Sequence, residues 1–263
     1  MGEPKISVVI HTYNSERFLA RVLNSVREFD EILICDMYSE DATLSIAQEF
    51  GARVVMHERL RFADPARNFA IQAATHDWVL VVDSDELITA PLREYLYQHL
   101  QKPDPEEGIR IPRHNYLMGR FMHGEYPDPI LRFFRKDRTV WPPYVHRQPE
   151  VDGRVIALPP SRHDCAIVHL INPSVQSWVT KANVYTDLEI PKRADQSFPW
   201  WKMLFGPWYR FFKAYVLKGG FRDGRAGYVH ARLAYIYKFL TIAKIWESRL
   251  SPEDMDPVLR DEK

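Results

Sequence analysis

Asp83-Ser84-Asp85-Glu86 follows the apolar run Trp78-Val79-Leu80-Val81-Val82, so two carboxylates two positions apart leave the end of a buried strand. Carboxylates with open coordination positions around them hold Mg²⁺ or Mn²⁺ while the ion also grips a diphosphate, and this spacing offers such a site. Solvated loops produce the same pattern; the strand ahead of it favours chemistry. Asp36 ends a second apolar run, Ile32-Leu33-Ile34-Cys35, where a carboxylate either caps the next helix or accepts hydrogen bonds from a ribose or base. Arg67 and Asn68 open a helical pattern from Ala66 to Ala74, and a helix N-terminus and a guanidinium both favour phosphate, although Arg67 fits a surface position equally well. His146 and His169, each beside apolar neighbours, suit metal ligation or proton transfer, and equally suit plain packing.

The elements that position these residues are strands alternating with helices. Ile6 to Ile10 predicts a strand running into Thr12-Tyr13-Asn14-Ser15, and Phe18, Leu19, Val22, Leu23 and Val26 then recur at helical spacing. After Asp36, Ser39-Glu40-Asp41 can cap a helix carrying Leu44, Ala47 and Phe50, with Gly51 suited to its end. Val54 to Met56 and Trp78 to Val82 are the third and fourth strands. They are apolar throughout, as strands covered by helices on both faces are, which predicts a doubly wound, mostly parallel α/β sheet. Such a sheet binds ligands at the carboxyl ends of its strands, where Asn14, Asp36 and Asp83 would converge. Beyond Leu100 the pattern loosens; Ile109 to Ile111 and Ile130 to Phe134 read as strands, and Pro142-Pro143 and Pro159-Pro160 as loops. Helical spacing returns from Ser174, most clearly over 228–246. The expected division is an α/β domain over 1–172 and a helical, aromatic and basic extension over 173–263.

Composition narrows the classes. With 263 residues and 46% hydrophobic content the chain can bury a sizeable core. Two cysteines, Cys35 and Cys165, make neither a disulfide framework nor a zinc site and fit a reducing compartment. No signal peptide and no membrane span is expected, so the protein is read as cytoplasmic, soluble or peripheral. Net charge is zero, but residues 1–107 hold 19 acidic and 10 basic side chains, whereas 200–246 hold nine Lys or Arg against Asp223 alone. The aromatics between those cations fit buried amphipathic helices or a surface facing anionic lipid; single-stranded nucleic acid is the less attractive partner beside an acidic first half. No Gly-x-Gly-x-x-Gly, Gly-Lys-Ser/Thr or Gly-x-Ser-x-Gly motif is present, which argues against dinucleotide, P-loop and serine-hydrolase chemistry.

Four ordered blocks, Ile6-Ser7-Val8-Val9-Ile10-His11-Thr12-Tyr13-Asn14, Asp36 with Ser39-Glu40-Asp41-Ala42-Thr43, Ala66-Arg67-Asn68-Phe69-Ala70 and Asp83-Ser84-Asp85-Glu86, resemble the family 2 glycosyltransferases of the GT-A fold. The branch that includes bacterial lipopolysaccharide-core β-glucosyltransferases is similar also through Arg132-Phe133-Phe134-Arg135, Lys181-Ala182-Asn183-Val184-Tyr185-Thr186 and Lys218-Gly219-Gly220-Phe221-Arg222-Asp223-Gly224. The resemblance implies a nucleoside-diphosphate sugar donor, usually a UDP-sugar, a metal-dependent hexosyl transfer with inversion, and a cell-surface glycan or lipid-linked acceptor. It implies that Thr12, Asn14 and Asp36 hold the nucleoside, that Arg67 lies near base or phosphate, that Asp83 and Asp85 serve ribose and metal, and that His169 is a later metal ligand. Where the similar enzymes carry His-Glu, this chain has His146-Arg147-Gln148, so the general base is sought elsewhere: Asp128, in Tyr126-Pro127-Asp128-Pro129, ahead of Glu150. The missing glutamate keeps a non-catalytic nucleotide-sugar-binding scaffold as an alternative, and a nucleotidyltransferase is the other.

Overall fold

The computed structural model describes residues 3–59, 66–142, 148–170, 174–193, 196 and 199–251. The expectations placed on His146 and its neighbours lie outside the described residues. The chain divides into two compact units: Met1–Asn115 with Tyr126–Ile171, and Tyr116–Glu125 with Asn172–Lys263.

In the first unit, β1 (Ile6–Thr12), α1 (Glu16–Val26), β2 (Glu31–Asp36), α2 (Thr43–Glu49), β3 (Arg53–Met56), α3 (Arg67–Ala73) and β4 (Trp78–Asp83) alternate as the apolar runs predict. β5 (Glu86–Leu87) and α4 (Ala90–Leu100) follow, then β6 (Gly108–Ile111) and β7 (Arg113–His114). β8 (Tyr116–Leu117) and β9 (Arg120–Phe121) pair within the segment that groups with the second unit. The chain returns to the first unit with β10 (Ile130–Arg135), β11 (Thr139–Val140), β12 (Glu150–Val151), β13 (Val155–Ala157) and β14 (Ile167–His169).

The main sheet has the order β13-β6-β10-β4-β1-β2-β3. β1 to β4 are parallel, and β10 is inserted antiparallel between β4 and β6. Helices cover both faces: Leu19, Val22, Leu23 and Val26 of α1 pack with Ile6, Val8 and Ile10, while Ala70 and Ile71 of α3 pack with Val9, Leu33, Val79 and Val81. Alternate residues of each strand therefore enter opposite cores, which keeps the middles of β1, β2 and β4 apolar at Val8–Ile10, Ile32–Cys35 and Val79–Val82. A smaller sheet, β5-β14-β7, joins the end of β4 to distant segments.

α4 is a helix the sequence reading does not name. Pro91 stands in its first turn, where the missing N–H is not needed, under a Thr89 cap that accepts from the Leu92 N–H at 3.3 Å.

The second unit is helical, with α5 (Val175–Lys192), α6 (Trp200–Phe212) and α7 (Gly224–Glu247). α6 runs on into a π-helical turn, Lys213–Leu217. Among the described residues no helix is long and apolar enough to cross a membrane.

Candidate active site

Parallel register sets Thr12 beside Asp36 and His11 beside Asp83, so the carboxyl ends of β1, β2 and β4 share one edge. Asp36 is fully buried there; its Oδ2 accepts from Thr12 Oγ1 at 2.7 Å and Ser39 Oγ at 2.6 Å, and its Oδ1 from the Ser39 N–H at 2.8 Å. Asn14 takes the left-handed backbone with φ 47°, a region asparagine tolerates better than most residues. From it the Asn14 N–H donates to Ser39 Oγ at 2.9 Å, and its Oδ1 accepts from the Glu40 N–H at 2.9 Å. The Glu16 N–H donates to Asp41 at 3.0 Å and the Ala42 N–H donates to Glu16 at 3.0 Å, so the starts of α1 and α2 are tied together, while Asp41 also caps its own helix by accepting from the Thr43 N–H at 2.9 Å. The two turns are thus stitched into one rigid rim.

Along the next strand the edge becomes ionic. Arg67 Nη2 donates to Asp83 Oδ1 at 3.0 Å, and Arg132 Nη2 donates to Asp83 Oδ2. Burial pushes the Asp83 pKa up, but the charges of Arg132 and Arg67 outweigh it and hold the carboxyl well below the usual range. Glu86 is completely buried and answered by the Asp83 N–H at 3.1 Å and Arg113 Nη1 at 3.3 Å, with Arg132 Nη2 at 3.7 Å. Buried carboxylates are tolerable only when paired and hydrogen-bonded in this way. The Arg67 guanidinium lies 4.3 Å from the Trp141 ring centroid, and the Asn68 amide clamps the Trp141 backbone, donating to its carbonyl at 2.7 Å and accepting from its N–H at 2.8 Å. His11 lies buried on this face; burial and then the Arg67 charge push its pKa down to about 3, so the ring is neutral.

Farther on, Arg113 Nε and Nη2 donate to Asp128 Oδ2 at 3.1 and 2.7 Å, and Asn115 Nδ2 donates to the same oxygen at 2.9 Å. All three bonds end on Oδ2, and the Asp128 side chain keeps 37% of its surface exposed, which leaves Oδ1 as the oxygen able to take a proton. Asn115 Oδ1 accepts from His169 Nδ1 at 3.1 Å. An amide oxygen only accepts, so Nδ1 is the donor to Asn115, and Nε2 on the other side of the ring lies 3.6 Å from Asp85 Oδ2. A histidine fixed through its far nitrogen and a carboxylate facing it are two donors of the kind that Mn²⁺ or Mg²⁺ accepts. Among the described residues no cluster of three or more His, Cys, Asp or Glu side chains forms.

Comparison with known proteins agrees with this architecture. The sequence profile of Glycosyl transferase family 2 matches residues 7–148. The chain belongs to glycosyl transferase family 2. This family 2 glycosyltransferase is 27% identical over 255 residues to the lipopolysaccharide core biosynthesis glycosyltransferase LpsC of Rhizobium meliloti, covering 92% of each chain. It is 25% identical over 279 residues to an uncharacterized glycosyltransferase of Rickettsia felis, covering 95% of this chain and 93% of that one. A mannosyltransferase from Pyrobaculum calidifontis, solved with GDP-Man and Mn²⁺, superposes with a TM-score of 0.55 at 16% identity, over 95% of this chain and 89% of that one, and shares the fold. The family resemblance and the GT-A type α/β fold expected from the sequence are both borne out.

In the family 2 glycosyltransferase fold, the residues singled out from sequence separate into groups. Thr12, Asn14 and Asp36 share the first rim, but Asp36 has no exposed surface and its bonds go to Thr12 and Ser39. Arg67 turns inward to Asp83 and Trp141. Asp85 and His169 come together, whereas Asp83, read with them as a metal ligand, is held by two arginines. Asp128 joins the network; Glu150 stands exposed on the β11–β12 ladder, and none of its described contacts reaches the network. Glu86, Arg113, Asn115 and Trp141 were not assigned roles from sequence. β7, which carries Arg113, is two residues long and shows no periodicity, and Asn115 is 54 residues from His169. Arg132 was visible only as part of a similar block.

Proposed function

We propose that the enzyme transfers a hexose from a nucleoside-diphosphate sugar, read as a UDP-sugar, to a hydroxyl of a cell-surface glycan or lipid-linked acceptor, with inversion at the anomeric carbon. The observation that carries this reading is a single amide: Asn115 orients both the His169 that faces Asp85 and the carboxylate of Asp128. Asp85 and His169 would hold Mn²⁺ or Mg²⁺, which when bound supplies Lewis-acid stabilisation of the departing diphosphate. Asp128 Oδ1 takes the acceptor proton as the hydroxyl oxygen bonds to the anomeric carbon and the bond from that carbon to the diphosphate oxygen breaks. Arg113 and Asn115 prevent the carboxylate from rotating away, an orientation set before substrate arrives. Asp83, locked by Arg67 and Arg132, serves the ribose side. Thr12 and Asn14 shape the nucleoside rim, with Asp36 acting through them from beneath. The family membership and the relative named for lipopolysaccharide core synthesis support this substrate class.

The same reading puts the enzyme at the cytoplasmic face of the cell membrane. α6 exposes Trp200, Phe205 and Tyr209 at 74%, 64% and 58%, interspersed with Lys202 and Arg210, a composition suited to the headgroup region of an anionic bilayer.

Calorimetric titration with UDP, GDP and dTDP, each with and without Mn²⁺, tests the donor site. Metal-enhanced binding of UDP is expected, and Asp85→Ala and His169→Ala should each remove the enhancement from folded protein. Binding of none of the three, or an enhancement untouched by Asp85→Ala, would overturn the assignment.

A further inference from the structure

The second unit contains a cavity of about 220 Å³ that the transfer chemistry does not use. Arg210 from the end of α6, Lys213 and Lys218 from the π-helical turn and its end, and His230 of α7 line it, with Glu125 as the lone carboxylate. Glu125 Oε1 is loosely shared, 3.4 Å from Lys218 Nζ and 3.7 Å from His230 Nε2. Arg210 and Lys213 have no carboxylate partner among the described residues. Three fixed cations around one carboxylate leave excess positive charge in a partly enclosed space, where low-dielectric walls strengthen its field.

The cavity is built rather than incidental. The buried carboxylate of Asp223 accepts from the N–H groups of His123 and Gly124 at 2.9 and 3.0 Å and from His123 Nδ1 at 2.8 Å, which fixes the turn that presents Glu125. Gly227 of α7 meets the Gly220 backbone so closely that a Cβ there would stand 1.8 Å from the Gly220 oxygen. Of the block Lys218 to Gly224, Lys218 lines the cavity, while Asp223 and Gly220 hold the neighbouring turns against each other and against α7.

We propose that this cavity binds a phosphate ester, its oxygens taken by the Arg210 guanidinium and the Lys213 and Lys218 ammonium groups with Glu125 displaced toward His230. Guanidinium and ammonium groups converging on a small, polar space recognise a phosphoryl dianion better than a neutral sugar. The phosphate can belong to a soluble phosphorylated glycan or to a phospholipid headgroup. The inference goes beyond the transfer reaction and does not depend on the identity of the donor.

The test uses the full chain, inorganic phosphate, and vesicles of phosphatidylcholine with and without phosphatidylglycerol, with Mn²⁺–UDP titration as a separate control on the donor site. Phosphate is expected to bind at moderate ionic strength. R210Q/K213Q should weaken it about tenfold or more, while R210K/K213R restores it and E125Q tightens it. Vesicle binding that phosphate competes away and R210Q/K213Q weakens assigns the headgroup as the source; vesicle binding indifferent to both, with phosphate affinity still weakened, assigns a soluble ester. Absence of phosphate binding, or the same affinity in R210Q/K213Q, overturns the site, whatever the donor titration gives.

Discussion

The two units treat charge in opposite ways. At the sheet edge of the α/β unit the charged groups answer one another: Arg67 and Arg132 hold Asp83, Arg132 and Arg113 hold Glu86, and Arg113 with Asn115 holds Asp128. In the helical unit, nine Lys or Arg between 200 and 246 face one acidic residue in that stretch, Asp223, and its carboxylate is already occupied by His123 and Gly124. The first arrangement sets dipoles and charges in advance, which lowers the reorganisation that a reaction demands. In the second, Lys244 pairs with Asp187 and Lys218 with Glu125, but Arg210 and Lys213 have no carboxylate partner among the described residues, which leaves positive charge there for a ligand to meet. Preorganised charge and recruiting charge should therefore respond differently to the same kind of substitution.

The largest difference is expected at Asp128. Asp128→Asn keeps the shape and loses the base, so release of UDP from donor in the presence of acceptor should slow about 10²- to 10⁴-fold with UDP affinity nearly unchanged. A retained rate would remove Asp128 as the base and bring Glu150 back. Next, Arg132→Met leaves the buried Glu86 and Asp83 each short of a cation, and urea unfolding should show a loss of about 3 kcal/mol. Arg210→Gln in the helical unit should cost less than about 0.5 kcal/mol, because no described carboxylate depends on it. Equal costs would dissolve the contrast between the units.

Acid stability sharpens the same point. His11 is neutral in the fold because burial, and then Arg67, push its pKa from 6.5 to about 3. The unfolded chain takes up that proton first, so stability is lost as pH falls from about 6.5 toward 3. Burial pushes the Glu31 pKa up, but hydrogen bonds from Ser7, Thr75 and Arg53 prevail and bring it down from 4.5 to about 2. Its contribution is present above 4.5 and disappears as pH falls toward 2. In urea midpoints measured against pH, His11→Gln should flatten the upper window and Glu31→Gln the lower one. If neither variant changes its window, these two groups do not set the acid limit.

The smallest effect on stability belongs to the exposed aromatics. Trp200→Ala with Phe205→Ala should change the unfolding free energy by less than about 0.5 kcal/mol, yet weaken sedimentation with phosphatidylglycerol vesicles several-fold if α6 meets a bilayer. Unchanged sedimentation would leave α6 outside the membrane contact.

Much of the fold was legible because a parallel strand covered on both faces must be apolar throughout, and β1, β2 and β4 announce themselves in short runs that stop at Thr12, Asp36 and Asp83. The helix α4 was not read from the sequence; Pro91 stands in its first turn, where a proline is tolerated. The sequence by itself determined the alternating strands and helices, the edge at which their carboxylates gather and the family that the four ordered blocks announce. Only the tertiary structure decided which carboxylates are free to act. Asp83 and Asp85 are chemically identical and two residues apart, but one is claimed by arginines from α3 and β10 and the other faces His169 from β14. Local sequence pattern reports which backbone conformation a residue can adopt and which face it can bury; which charge will stand opposite a given carboxylate depends on strands brought together from 50 or more residues away, as at Asn115 and His169.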